Sequence, residues 1–470
     1  MIATLASLID ALAAAVFASV RVAGVEIQLI VLWLAAAMVF ATVWLGVPQV
    51  RGFGLGWRAL AGRFRDPAAP GGISQVEALA TALASTVGLG NIAGVAVAVA
   101  LGGPGAILWM LVIGVFAMAL KCAEVTLGLM YREQLPFGAV RGGPAVTLER
   151  GLAARGLGPL GQVLGKAHAF FMIFGCLSLV QVNQAHVQVA AVTGIEAPLA
   201  FGVGFALLCA LVLLGSVSWI GRVTGRLVPA MCLLYVGACL VVLAGHVEAI
   251  PGALLLIVRD ALAPQAAAGG ILGVFVIGMR RAVYSSEAGI GTAVVAHAQA
   301  RTREPASEGM VALIEPFIDT VVICTLTGLT LVVTGMWADR SLEGVAMTSA
   351  ALETVIPFAP QLLALVVFLF AYSTALGNGF YATQAFQHLA GHGRRRALAF
   401  KLVFCAQLSL GAALDLGRLF DLVDSAFFLM ALPNVIGLYL LAGPLRRETE
   451  GYFARQRKAA GRPGRHSPAA

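Results

Sequence analysis

The sequence predicts an all-α polytopic membrane protein, and three observations carry that prediction. Of 470 residues, 60% are hydrophobic and 11% are charged, whereas a soluble domain carries roughly 25% charged residues. Apolar stretches long enough for the ~20 residues that cross a bilayer follow one another from residue 24 almost to residue 443, separated by short polar loops. The 55 glycines and 19 prolines lie largely inside or beside those stretches, where neighbouring helices and water satisfy the backbone groups they free. Together these features exclude an ordinary soluble enzyme.

Taken in order, residues 1–23 read as an interfacial or re-entrant segment. The run 3–20 is apolar but holds Asp10 and runs into Arg21, and no basic residue precedes it as a cleavable signal peptide would require. An extra span at 24–45 leads to a loop with Arg51, Arg58, Arg63 and Arg65. Spans 76–101 and 104–131 return to the same side at Arg132, Arg141, Arg150, Arg155 and Lys166. Spans 163–190 and 199–218 return to Arg222 and Arg226, and spans 227–245 and 269–299 to Arg301 and Arg303. Spans 310–335 and 359–388 reach Arg394, Arg395, Arg396 and Lys401; spans 396–416 and 422–443 lead into a basic tail, 444–470. Of the 31 lysines and arginines, 24 therefore share one side, against Arg21, Arg259, Arg340 and Arg418 on the other.

The positive-inside rule makes the arginine-rich side cytoplasmic, with the C-terminus inside and, for eleven spans, the N-terminus outside. The net charge of +8 is then topological and implies no nucleic-acid partner. The seven cysteines all lie in apolar segments without repeated spacing, so neither a disulfide framework nor a zinc site is expected.

Two spans break their own helical pattern. One contains Val87-Gly88-Leu89-Gly90-Asn91, the other Tyr284-Ser285-Ser286-Glu287-Ala288-Gly289-Ile290-Gly291. Each mid-helix glycine costs about 1 kcal/mol relative to alanine. An unwound stretch exposes carbonyls that can hold a sodium ion or an ammonium, and the new half-helix presents N–H groups to a carboxylate. The pair therefore outlines a site for a zwitterion. Without the first span, the broken helices are the first and sixth of ten, which predicts a five-plus-five inverted repeat over 70–245 and 269–443. Gly88-Leu89-Gly90 is no dinucleotide fingerprint, since no strand precedes it.

Gly90-Asn91-Ile92-Ala93-Gly94, Gly102-Gly103-Pro104-Gly105-Ala106, Ser286-Glu287-Ala288-Gly289-Ile290-Gly291, Ile318-Asp319-Thr320 and Phe370-Ala371-Tyr372-Ser373-Thr374 together resemble the alanine or glycine:cation symporter family over roughly residues 70 to 440. The resemblance implies a LeuT-like fold with one extra N-terminal helix, and sodium-coupled import of a small neutral amino acid through the inner membrane. It places the substrate carboxylate at Gly88, Gly90 and Asn91. The ammonium is placed at Tyr284, Ser285 and Ser286, with Gln181 in its Val180-Gln181-Val182-Asn183 context. Sodium, the coupling ion and the one inorganic partner expected, falls to the Ser373 and Thr374 hydroxyls and the carbonyls of Ala84 and Val87. A side chain at Gly90 is expected to close the approach to substrate. Where the family continues Leu-Gly-Trp after its Phe-Ser-Thr segment, this chain reads Leu376-Gly377-Asn378, so Asn378 is expected to give a larger or more polar pocket.

Charges inside spans are costly and default to functional roles. Lys121 and Glu124, three apart, are expected to form an intrahelical gating or structural pair. Glu287 is expected to order the second break by accepting its freed N–H groups, and Asp319 is a further buried charge. A proton-coupled transporter and a solute sensor on the same scaffold are the alternatives. The sequence lacks His-Glu-x-x-His and Gly-x-Ser-x-Gly, so no enzyme is expected.

Overall fold

The computed structural model describes residues 10–22, 25–64, 66–135, 139–263, 270–413 and 417–460. Residues 1–9 and 23 of the N-terminal segment, Arg65 and tail residues 461–470 lie outside them. The first span begins later than expected. Val20, Val22, Val25 and Ile27 favour extended chain, and Ser19–Val22 pairs antiparallel with Val25–Gln28. Helix Leu29–Trp44 therefore starts at residue 29.

The first broken span opens with a reciprocal cap. Ser74 Oγ accepts the Glu77 N–H at 3.2 Å and the Glu77 carboxylate accepts the Ser74 N–H at 2.8 Å. Helix Gln75–Thr86 ends where Val87 turns extended (ψ 104°), and a π-turn at Gly90–Gly94 leads into Val95–Gly102. The two halves are bent by 57°. The second broken span runs Gly270–Ser286, unwinds through Glu287 to Gly291, and resumes as Thr292–His297. Gly289 has φ +92°, and a Cβ there would lie 2.2 Å from Leu34 Cδ2, so only glycine fits that corner.

Elsewhere the expected spans are subdivided or extended. The run 163–190 is two helices, Gly158–Gly175 and Leu179–Thr193. Val217–Gly245 begins ten residues before the expected 227 and accommodates Pro229. The span 310–335 is composite: Pro305–Ala312, Ile314–Pro316, a π-helix Phe317–Cys324, and Thr325–Val333. Ala106–Met130 and Ala359–Ala390 are long continuous helices. In the basic tail, Ala442–Ala460 is helical, and Tyr452 and Phe453 pack against Met118, Met310 and Leu313.

Among the described residues, six helices are long and apolar enough to cross a bilayer, and the bent pair Gln75–Thr86 with Gly90–Gly102 makes a seventh. Leu29–Trp44 and Pro198–Leu213 are shorter apolar helices. Val163, Leu211 and Leu233 stay exposed on outer faces, as lipid-facing side chains do. The broken spans lie inside this shell, where Ala84, Val87, Ile92, Ala288 and Ile290 are fully buried.

Candidate functional site

The two breaks face each other. A Cβ on Gly90 would sit 3.7 Å from Ser285 Cα and 4.0 Å from Tyr284 Cδ1. Asn91 ties the breaks together: its Oδ1 accepts the Gly88 N–H at 2.8 Å, and its Nδ2 donates to Asp319 Oδ1 at 2.7 Å and to Ser285 Oγ at 3.1 Å. Ser285 Oγ and Thr320 Oγ1 each donate to Asp319 Oδ2 at 2.7 Å. A buried carboxylate is tolerable only when hydrogen-bonded in this way, and Asp319 stands on the π-helix Phe317–Cys324, a form frequent at functional sites.

Beside this knot lies a cavity of about 90 Å³ lined by Gly88, Gly90, Gln181, Tyr284, Ser285, Glu287, Thr374 and Asn378, with Asp424 and Phe427 from the helix Gly417–Leu429. Of the residues expected to meet substrate, two fall elsewhere. Asn91 is spent on the clamp between the breaks. Ser286 is buried and does not line the cavity, its Oγ accepting the Ala288 N–H at 3.4 Å. Two lining atoms, Gln181 Oε1 and Thr374 Oγ1, are buried with no hydrogen-bond partner in the protein, a condition costing about 1–3 kcal/mol each. Asn378 Nδ2 donates to Ser178 Oγ at 3.2 Å, so part of its amide belongs to the wall.

The residues expected to hold sodium also converge. Helix Ala359–Ala390 brings Thr374 against the first break, and a Cβ on Gly88 would lie 3.2 Å from Thr374 Oγ1. Ser373 Oγ donates to the Phe370 carbonyl at 2.9 Å, the local back-bond open to any hydroxyl in a helix. Ala84 and Val87 are buried at the end of helix Gln75–Thr86. The crowding at Gly90 differs from expectation: a methyl there makes only ordinary contacts, whereas one at Gly88 presses on the Thr374 hydroxyl.

The charge pairing is also different. Lys121 does not pair with Glu124; its Nζ lies 3.0 Å from Glu315 Oε1, both side chains fully buried. Glu124 instead accepts from Asn434 Nδ2, which also donates to the Gly289 carbonyl at 2.9 Å. The two residues share a helix face, but partners on other helices, Glu315 and Asn434, displaced the intrahelical pairing. Glu287 accepts from the Thr292 hydroxyl rather than from freed backbone N–H groups, and holds φ +50° in the break. Asp424, which accepts from Tyr284 OH at 3.2 Å, lines the cavity outside the expected set, although a carboxylate inside an apolar span is its signal in the sequence.

On the arginine-rich side the spans are shut. Gly72 and Ile73 N–H donate to the Gln299 carbonyl at 2.9 and 3.2 Å, and Arg301 N–H to the Ile73 carbonyl at 2.8 Å. The Arg132 guanidinium donates to Ala298 and Ala300 carbonyls, both at 2.8 Å, to Pro70 at 3.1 Å, and to Thr302. The chain entering the first broken span is thereby sewn to the chain leaving the second.

Two broken helices facing a central cavity, inside a shell of apolar spans, define a multi-pass membrane transporter rather than an enzyme. The chain belongs to the sodium:alanine symporter family, whose model matches residues 11–466. It is 38% identical over 421 residues to the sodium/alanine symporter AgcS of Methanococcus maripaludis, covering 88% of this chain and 92% of that one. It is 32% identical over 389 residues to a Bacillus subtilis protein named as a probable sodium/glutamine symporter, GlnT, covering 82% and 80%. In fold it is similar to the crystal structure of MhsT in complex with L-phenylalanine, with a TM-score of 0.55 at 14% identity over 81% of this chain and 99% of that one. The fold is LeuT-like.

Proposed function

We propose that the protein carries a small neutral amino acid inward together with sodium, by alternating access around the cavity between the two breaks. The observation that carries this reading is the pair of buried, unpartnered atoms, Gln181 Oε1 and Thr374 Oγ1, lining one cavity together with the unwound backbone at Gly88 and Gly90. In this reading the substrate carboxylate meets the backbone at Gly88 and Gly90, where no side chain keeps it away. The ammonium, with three donors and no acceptor, turns to Gln181 Oε1 and the Tyr284–Ser285 side. Sodium prefers hard oxygens, and the Thr374 and Ser373 hydroxyls with the Ala84 and Val87 carbonyls are the available set. The arginine-rich side is cytoplasmic in this reading, and the repeats 70–245 and 269–443 rock against one another to open it.

Substrate choice follows from the cavity wall. Asn378 and Asp424 face it where the family resemblance leads one to expect an indole at the Asn378 position, so polar side chains are accommodated. Serine, threonine, asparagine and glutamine are expected to compete with or outcompete alanine and glycine. The test is uptake of labelled amino acids into proteoliposomes under a sodium gradient, a proton gradient, or neither. Uptake driven by sodium supports the reading; uptake driven by protons alone, or none at all, overturns it.

A further inference from the structure

On the arginine-rich side of the breaks, five side chains that line no part of the substrate cavity form one continuous chain. Gln75 Nε2 donates to Glu308 Oε2 at 2.7 Å, and Glu308 Oε1 lies 2.7 Å from His297 Nδ1. The other ring nitrogen, His297 Nε2, faces Glu315 Oε2 at 3.7 Å, and Glu315 Oε1 meets Lys121 Nζ at 3.0 Å. Lys121, His297, Glu308 and Glu315 are all 0% exposed. Gln75 also lines a separate cavity of about 510 Å³ with Ile73, Ser74, Arg222 and Arg301.

Charge balance dictates the state of the ring. Lys121 is offset by one of the two glutamates, leaving one buried negative charge. An imidazolium cancels it, whereas a neutral ring leaves it uncompensated, a costly arrangement away from water. The geometry agrees: Nδ1 is hydrogen-bonded to Glu308, while Nε2 and Glu315 Oε2, at ion-pair distance, are buried without any hydrogen-bond partner, and a neutral ring with its proton on Nδ1 would turn its lone pair toward that carboxylate. Two more buried carboxylates, Glu124 and Glu287, lie near enough to act on Lys121 and add to the demand for a cation, Glu124 being hydrogen-bonded to Asn434 and Glu287 to Thr292; the remaining neighbours are hydrogen-bonded within their own surroundings. Arg132 is bound to backbone carbonyls, Glu77 to Ser74, and Tyr381 to Ser85 and Thr81.

The position of the ring gives this charge a consequence. His297 is the last residue of the second broken span, and the next residues, Gln299 to Arg301, are those paired with Gly72 and Ile73. Gln75 stands two residues beyond Ile73 and lines the 510 Å³ cavity, so a separation of that seam would draw it from Glu308 and open the chain to that cavity. Once hydrated, the carboxylates no longer require a cation between them, and a histidine in water is mostly neutral at pH 7.

We propose that His297 is a proton-binding site of the cytoplasmic gate: the gate closes with a proton on the ring between Glu308 and Glu315, and opening releases that proton into the cavity lined by Gln75. The inference rests on the alternating-access reading above, and its test reads the gate by itself. Hydrogen–deuterium exchange of the full-length protein gives protection factors for the Gly72, Ile73 and Arg301 amides, corrected for intrinsic exchange. In the wild type, protection should fall as pH rises above neutrality, by up to about tenfold per pH unit, the slope of a one-proton equilibrium. His297→Gln, neutral throughout, should show low, pH-independent protection; His297→Lys, charged throughout, should hold it high. Flat protection in the wild type, or protection in His297→Gln equal to that of the wild type at low pH, overturns the proposal. Should either variant fail to fold, the wild-type profile alone decides. Sodium-driven uptake measured on the same preparation separates the two claims: pH-dependent protection without uptake counts against transport and leaves the proton site standing.

Discussion

Thr374→Val is expected to raise stability in the absence of sodium and to shrink the stabilisation that sodium adds. The Thr374 hydroxyl is buried, lacks any protein partner and lines the cavity. Valine replaces it with a methyl of similar size on an equally β-branched side chain, so helix propensity and packing volume barely change. Without sodium, removing an unpartnered buried hydroxyl relieves about 1–3 kcal/mol, and the variant should unfold at a higher temperature than the wild type. With sodium at about 100 times its Kd, a bound ion stabilises the wild type by about 2.7 kcal/mol. A variant whose affinity has dropped at least about tenfold loses about 1.4 kcal/mol of that. The assay is thermal unfolding in detergent, in sodium chloride against choline chloride at equal ionic strength. Ser373→Ala is the internal comparison, since its hydroxyl already donates to Phe370. A sodium-induced shift in Thr374→Val as large as in the wild type would remove Thr374 from the ion site.

Three further outcomes are expected. Gly88→Ala places a methyl 3.2 Å from Thr374 Oγ1 while Gly90→Ala makes only ordinary contacts, so the first should weaken sodium-dependent uptake severalfold more than the second; equal effects in flux assays would argue against ion binding at this corner. Lys121→Met leaves Glu315 buried without its cation and should cost about 3–5 kcal/mol, most of it recovered in Lys121→Met with Glu315→Gln, where His297 and Glu308 still balance. Thermal unfolding reads both variants, and a double variant no more stable than the single one contradicts the charge count. Asn378→Trp should narrow the competition profile toward alanine and glycine, because a site built to bond a polar side chain discriminates steeply; an unchanged profile would take Asn378 out of substrate selection.

The breaks were readable because paired glycines at mid-span have few other uses, and both unwind where Gly88-Leu89-Gly90 and Gly289-Ile290-Gly291 stand. The partners across them were not. Asn91 looks like a substrate ligand in sequence because it adjoins the break, yet Asp319, 228 positions away, claims its amide. Lys121 has Glu124 within one helical turn, and nothing local reveals that Glu315 arrives closer from another span. Helix ends failed for a similar reason: the division at Cys176 to Ser178 carries little turn chemistry, and residues 217–226 continue a helix although Arg222 and Arg226 read as loop. Hydropathy reports where chain enters apolar surroundings, and tertiary packing decides where a helix stops.

The energetics of the cavity bear on why two solutes would be needed to turn the gate. Converting a population from 1:99 to 99:1 takes about 5.5 kcal/mol of differential binding. Each orphaned atom, Gln181 Oε1 and Thr374 Oγ1, offers at most about 1–3 kcal/mol when satisfied. Satisfying one falls short of that requirement. Satisfying both, with an ammonium at Gln181 and an ion at Thr374, comes to about 2–6 kcal/mol and spans it. The opposing closure is held by the Arg132 fork and the seam from Gly72 to Arg301, and occupancy turns the gate only in so far as the open state satisfies the two orphaned atoms better than the closed one. Coupling then needs no direct contact between the two solutes. On the proposed alternating-access reading, loosening that closure, as Arg132→Ala would by freeing four carbonyls of their shared donor, should let the amino acid pass without sodium, and amino-acid uptake by Arg132→Ala that stays as sodium-dependent as the wild type's would refute this.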